Sequence, residues 1–152
     1  MTVFEVTPLL PTYLLGFVIS KFAKKSETSD GIEFGAFSRE LQIENTEFGI
    51  KTAIEALKHF ENDFNVKYQE MTKLDQVALP VFNFGGMENH GIIFYREDFL
   101  LYDEEIHTAY DKEYVAQTVV HEVKNALKII KNFIKMKYLK VCHVFLGNLS
   151  TP

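Results

Sequence analysis

Gly85-Gly86-Met87-Glu88-Asn89-His90-Gly91-Ile92-Ile93-Phe94-Tyr95-Arg96-Glu97 is the stretch on which the fold turns. Two adjacent glycines let the backbone turn tightly and come close to a ligand. A carboxylate beside such a loop, Glu88, is placed to grip an ammonium group. Taken alone, a Gly-Gly turn carrying a solvated glutamate is the commoner occurrence. Ile92 to Tyr95 is a short apolar run and reads as a strand, which leaves 83–91 as the loop before it. Further on, Val119-Val120-His121-Glu122 closes an apolar helical run. A zinc hydrolase needs His-Glu-x-x-His on a helix, because one turn then brings both imidazoles to one metal with the Glu beside the bound water. Position 125 is Asn125, a poor zinc ligand beside imidazole or thiolate. An isolated His-Glu pair is most often plain helix surface.

Outward from these stretches the pattern is of strands followed by alternating helix and strand, an α+β arrangement. Pro8 and Pro11 bracket an irregular entry, and Tyr13 to Ile19 reads as a buried strand. Lys24–Gly31 is polar and ends in a turn-like Asp30-Gly31. Ile32 to Phe37 alternates as a half-buried strand does. Thr46 to Phe64 is the first long helix, with Phe48, Ala53, Ile54, Leu57, Phe60 and Phe64 at three- and four-residue spacing and Thr46 as N-cap. Leu74 to Pro80 reads as a strand, and Lys112 to Glu122 as a second helix. A domain boundary falls most naturally between Phe37 and Thr46, giving units 1–40 and 41–152.

Composition narrows the class. The chain has 152 residues, 47% of them hydrophobic and 24% charged, as in ordinary globular protein. A formal charge of −5 argues against a nucleic-acid binder, which is usually strongly basic. Cys142 is the single cysteine, so no internal disulfide forms. The first residues lack a secretory pattern, and no apolar run approaches membrane-spanning length.

Taken together, residues 85–97 and 119–122 resemble the M1 family of zinc metalloaminopeptidases, gluzincins of the aminopeptidase N type. That family carries Gly-x-Met-Glu-Asn, a short strand ending in Tyr-Arg-Glu, and then His-Glu-x-x-His. The resemblance extends over residues 1–122. Thr7-Pro8-Leu9 to Phe22 looks like the last strands of a saddle-like all-β N-terminal domain. Helix 46–64 and Lys73–Pro80 look like the start of a thermolysin-like catalytic domain. The resemblance implies a zinc-dependent enzyme, with one ion, that removes single residues from peptide N-termini. It implies Glu122 as general base and Glu88 as the holder of the substrate's α-amino group. Gly85, Gly86 and Met87 would line the substrate channel, with Asn89 helping to orient the substrate. His121 would be one zinc ligand. Peptides are the implied partners, with no nucleic acid, and the family suggests a parent at the plasma membrane or its extracellular face.

The resemblance breaks after Glu122. Excising 123–140 joins His121-Glu122 to Val141-Cys142-His143, restoring His-Glu-x-x-His and bringing Gly147-Asn148-Leu149 into the family's register. His143 is then the second zinc ligand. The interrupting 18 residues hold six lysines and no acid, in a chain otherwise strongly acidic, and favour A/T-rich codons. They open on a valine and close on a lysine, whose codons can supply the GT and AG that bound most introns. A translated intron is one reading. A basic amphipathic helix, with Lys124, Lys128, Lys131 and Lys135 on one face and Leu127, Ile130 and Ile134 on another, is the other. As written, the motif is interrupted, and the family's third zinc ligand, a downstream Glu, is expected beyond Pro152. The chain is therefore expected to be inactive. The alternative function is a non-catalytic protein that binds peptide N-termini or interferes with the intact enzyme.

Overall fold

Asp30 and Gly31 both take positive φ, +52° and +81°, so the chain reverses in two residues. This is the turn that matches the twist of a β-hairpin, and Asp-Gly is a preferred sequence for it. The computed structural model describes the backbone of residues 10–68 and 71–147, with side chains through Asn132. The resemblance at Thr7-Pro8-Leu9 and the Asn148-Leu149 register lie outside the described residues, as do the side chains of Cys142 and His143. The turn joins β1 (Ala23–Ser29) to β2 (Ile32–Ser38), paired antiparallel from Ser29↔Ile32 to Ala23↔Ser38. The sequence offered only a polar stretch where β1 lies. The strand forms because it is an edge strand, and an edge strand needs only one row of backbone partners.

Helix α1 (Glu47–Phe64) buries Ile50, Ala53, Ile54, Leu57 and Phe60, the face that the spacing anticipates. Thr46 does not cap it. Two 3-10 turns, Glu40–Gln42 and Glu44–Thr46, run straight into the helix, so Thr46 is itself helical and its hydroxyl donates to the Ile43 carbonyl at 2.6 Å. Those turns occupy the stretch where the sequence suggests a domain boundary. The sheet nevertheless runs across it, because β2 pairs in parallel with β3 (Lys73–Leu79).

Beyond β3 the structure differs from the expected loop at 83–91. Gly86–Asn89 is a strand, β4, paired antiparallel with β5 (Ile92–Arg96) across a turn in which Gly91 has φ +75°. β5 also pairs in parallel with β3, giving the order β1-β2-β3-β5-β4. Registers Ala78↔Tyr95 and Gly86↔Tyr95 put Ala78, Tyr95 and Gly86 on one face, and Gln76, Ile93 and Glu88 follow on the same face by strand alternation. Both helices cover that face, and Phe34, Leu74, Ile93, Tyr95, Leu57 and Leu127 belong to one buried core.

Helix α2 (Ala109–Gly147) is far longer than the predicted 112–122. It starts on a reciprocal cap: Thr108 N–H donates to Asp111 Oδ2 at 2.8 Å, and Asp111 N–H donates to Thr108 Oγ1 at 3.3 Å. Glu122 does not end it. Val123, Ala126, Leu127 and Ile130 continue the buried stripe of Val115 and Val119 at helical spacing. Leu127 and Ile130 thus face the protein core. The reading that sets them on the apolar side of a membrane-surface helix is corrected on this point.

Tyr13 to Ile19 is also corrected. Only a 3-10 turn at Thr12–Leu14 is regular there. Leu14 is buried, and its carbonyl accepts His90 N–H at 2.9 Å. Gly16 fits so closely over Phe94 and Asn89 that a Cβ would lie 2.7 Å and 2.9 Å from them. The odd-numbered Tyr13, Leu15, Phe17 and Ile19 point away from the sheet and are exposed. The architecture as a whole is α+β, as the sequence indicates.

Candidate active site

The edge strand β4 and the helix α2 meet without any side chain between them on the β4 side. A Cβ added at Gly86 would lie 2.5 Å from Glu122 Oε1 and 2.6 Å from its Cδ, so only glycine permits the approach. This close approach presses the Glu122 carboxyl onto the strand and leaves the residue only 6% exposed. Glu88 lies two residues along the same strand face, close enough to hydrogen-bond Glu122. Burial, then the Glu88 charge and that hydrogen bond, push the Glu122 carboxyl up to about 7. Near neutral pH the burial and the neighbouring Glu88 charge thus favour a proton on Glu122.

Tyr95 completes the cluster from β5, opposite Gly86. Its ring is fully buried, and burial first and the two carboxylates second hold its hydroxyl protonated far above the usual range. Tyr95 Oη and Glu122 Oε2 are buried with no hydrogen-bond partner among the described residues. Unpaired buried polar atoms are costly and are uncommon in a folded core. Sequence reasoning named Tyr95 only as part of a motif. Its place opposite Gly86 follows from strand register, which the sequence alone does not display.

The other expected residues are arranged as follows. Gly85 abuts the Phe99 ring, 3.2 Å from where its Cβ would stand, and its carbonyl accepts Arg96 N–H at 3.2 Å. Pairing alternates along an antiparallel ladder, so the backbone groups of Gly86 and Glu88 point to the open edge of the sheet. Met87 and Asn89 lie on the opposite face from Glu88. Asn89 is buried, and its amide donates to the Tyr13 carbonyl at 2.8 Å, tying down the chain before β1. His121 is on the exposed side of α2, and Asn125 Nδ2 donates to its Nε2 at 3.1 Å. His143 is on the same helix, 22 residues on, which is about 33 Å along the axis at 1.5 Å per residue.

Residues 48–126 match the family model described as the Peptidase family M1 domain. The chain belongs to peptidase family M1. Among relatives of this M1 chain, aminopeptidase N of Haemonchus contortus is 35% identical over 121 residues, 79% of this chain and 12% of the relative. Aminopeptidase N of Mus musculus is 35% identical over 126 residues, 81% of the chain and 13% of the relative. Aminopeptidase N of Lactococcus lactis subsp. lactis is 37% identical over 137 residues, 89% of the chain and 16% of the relative. The chain thus spans roughly an eighth to a sixth of the length of these relatives.

M1 aminopeptidases are generally zinc enzymes, and the residues of this chain can be tested against that ion. A catalytic zinc site takes three protein ligands. Among the described residues no group of three His, Cys, Asp or Glu side chains is placed to hold a metal. His121 faces a carboxamide where the second imidazole would stand, and Glu122 turns inward to Gly86. As folded, these residues do not fit the ion. No helix among them is long and apolar enough to cross a membrane.

Proposed function

We propose that the parent protein is a zinc-dependent aminopeptidase, and that this chain, as folded, binds peptide N-termini without hydrolysing them. The Glu88–Glu122 pair on the bare Gly86 strand carries this reading. A peptide's α-ammonium brings the donors that the two carboxylates need, and Glu122 Oε2 has no other partner among the described residues. Charge-assisted bonds of this kind are the strong ones. Glu88 holds the ammonium, and the outward backbone of Gly86 and Glu88 accepts the rest of an extended peptide by strand addition. Gly85 and Met87 flank that edge, and Asn89 fixes it from behind. With residues 123–140 removed, as the intron reading of that segment has it, His121 and His143 become the paired zinc ligands. Glu122 between them is then the general base.

Fluorescence anisotropy with a labelled peptide, free or N-acetylated at its amino end, tests the binding. The free amine should bind at least about tenfold more tightly, since hydrogen bonds to charged groups contribute about 1.5–3 kcal/mol. Glu88→Ala should abolish that difference. Equal binding of both peptides would refute the reading, and chelator-sensitive cleavage of an aminoacyl-anilide would refute the non-hydrolytic part.

A further inference from the structure

The apolar face of α2 does not change character at Glu122. Val123 and Leu127 are fully buried, Ala126 and Ile130 nearly so, and they extend the Val119 stripe at the three- and four-residue steps of a helix. Lys124 holds its ammonium 5.4 Å from the centre of the Phe60 ring. Lys131 lies 5.1 Å from the Phe64 ring and donates to the Phe64 carbonyl at 3.2 Å. That carbonyl belongs to the last residue of α1, where a helix presents its negative end and favours a cation. Looping this segment out would expose four buried side chains and strip α1 of that cation.

We infer that the packing of residues 123–131 fixes the register of α2, so that Asn125, and not His143, holds the second-ligand position one turn after His121. The carboxamide is already seated there, donating to His121 Nε2 at 3.1 Å. An imidazole on the same Cα would point its ring at the same side of the same turn, because residues four apart on a helix are neighbours. Asn125 therefore withholds the second imidazole while the helix around it is kept; a third protein ligand is absent among the described residues as well. The inference is independent of peptide binding, which depends on Glu88.

The full chain and its Asn125→His, His143→Ala and Asn125→His/His121→Ala variants, each checked for folding by circular dichroism, decide the point by cobalt(II) absorption and zinc titration. Asn125 is only half-buried, so the substitution fits the surface. Asn125→His should gain cobalt d–d bands and bind zinc at least about tenfold more tightly than the parent chain, since even supporting groups change metal affinity 10–100-fold. The gain should vanish in Asn125→His/His121→Ala, and His143→Ala should match the parent chain. Stoichiometric zinc in the parent chain that is lost in His143→Ala would overturn the inference. So would a folded Asn125→His variant with no gain. Free-amine peptide binding, measured on the same samples, reports on Glu88 separately.

Discussion

Truncating Leu127 to alanine asks whether the segment after Glu122 belongs to the folded core. The side chain is fully buried. Removing three carbons from that setting costs about 2 kcal/mol of transfer free energy. The cavity left between α1 and α2 raises this to about 3 kcal/mol, within the range for such truncations. Against a total of about 5–15 kcal/mol for a domain, that is a large fraction. In thermal melts it corresponds to roughly 10 °C. Urea denaturation of the parent chain, Leu127→Ala and Lys128→Ala, followed by far-ultraviolet circular dichroism, reads the effect. Lys128 is exposed on the next position of the helix, so its truncation should stay within about 0.5 kcal/mol. If the two variants unfold together with the parent, 123–131 does not pack on α1 and the fixed register of α2 fails with it.

Other outcomes follow from the carboxylate recess. The Glu122 carboxyl titrates at about 7 in the folded chain against an ordinary 4.5, so the folded state favours its proton. Its contribution is full below pH 4.5 and is lost as pH rises through 7, a fall of up to about 3 kcal/mol. Glu122→Gln should flatten that slope in denaturation measured from pH 4 to 8; an unchanged slope would assign it elsewhere. Gly86→Ala drives a methyl into the Glu122 carboxyl and should cost about 1–3 kcal/mol. It should also return the Glu122 titration, followed by carboxyl carbon-13 shifts, toward its ordinary value. Tyr95→Phe removes a buried hydroxyl with no partner among the described residues, so stability should hold or rise by about 1 kcal/mol. A loss of that size would reveal a bond the hydroxyl makes.

The elements legible in the sequence are those whose burial follows a regular period. Helix α1 and strand β3 were placed within a residue or two because their apolar positions repeat at helical spacing or run unbroken. β1 was missed because an edge strand of Lys, Ser, Glu and Thr carries no such period. β4 reads as a loop because Gly86 and Glu88 stand in place of apolar residues on its inner face. That replacement is what makes room for Glu122. Tyr13–Ile19 works in the opposite direction: an apolar run promises burial, but within it only Leu14 is buried. Within 123–131 the apolar stripe is present in the letters as Leu127 and Ile130, and the fold buries it together with Val123 and Ala126. Of the site, Glu88, Glu122 and the glycine pair were visible as a motif. Their partnership with Tyr95 depended on strand register, which no single segment encodes.

The sheet is two hairpins held together by one strand that has no hairpin of its own. β1–β2 and β4–β5 each close across a two-residue turn, whereas β3 pairs only in parallel, with α1 intervening on one side and β4 on the other. Local closures are fast, and distant pairings must first meet the entropy of long loops. The two hairpins can therefore form early and wait, and seating β3 between them becomes the slow event that joins the halves of the sheet. Weakening Leu74, Val77 or either hairpin turn should then slow refolding and leave unfolding little changed, if β3 docking is the transition state. A chain emerging from the ribosome would have β1, β2 and α1 in hand, with the open edge of β2 exposed, until β3 arrives to cover it.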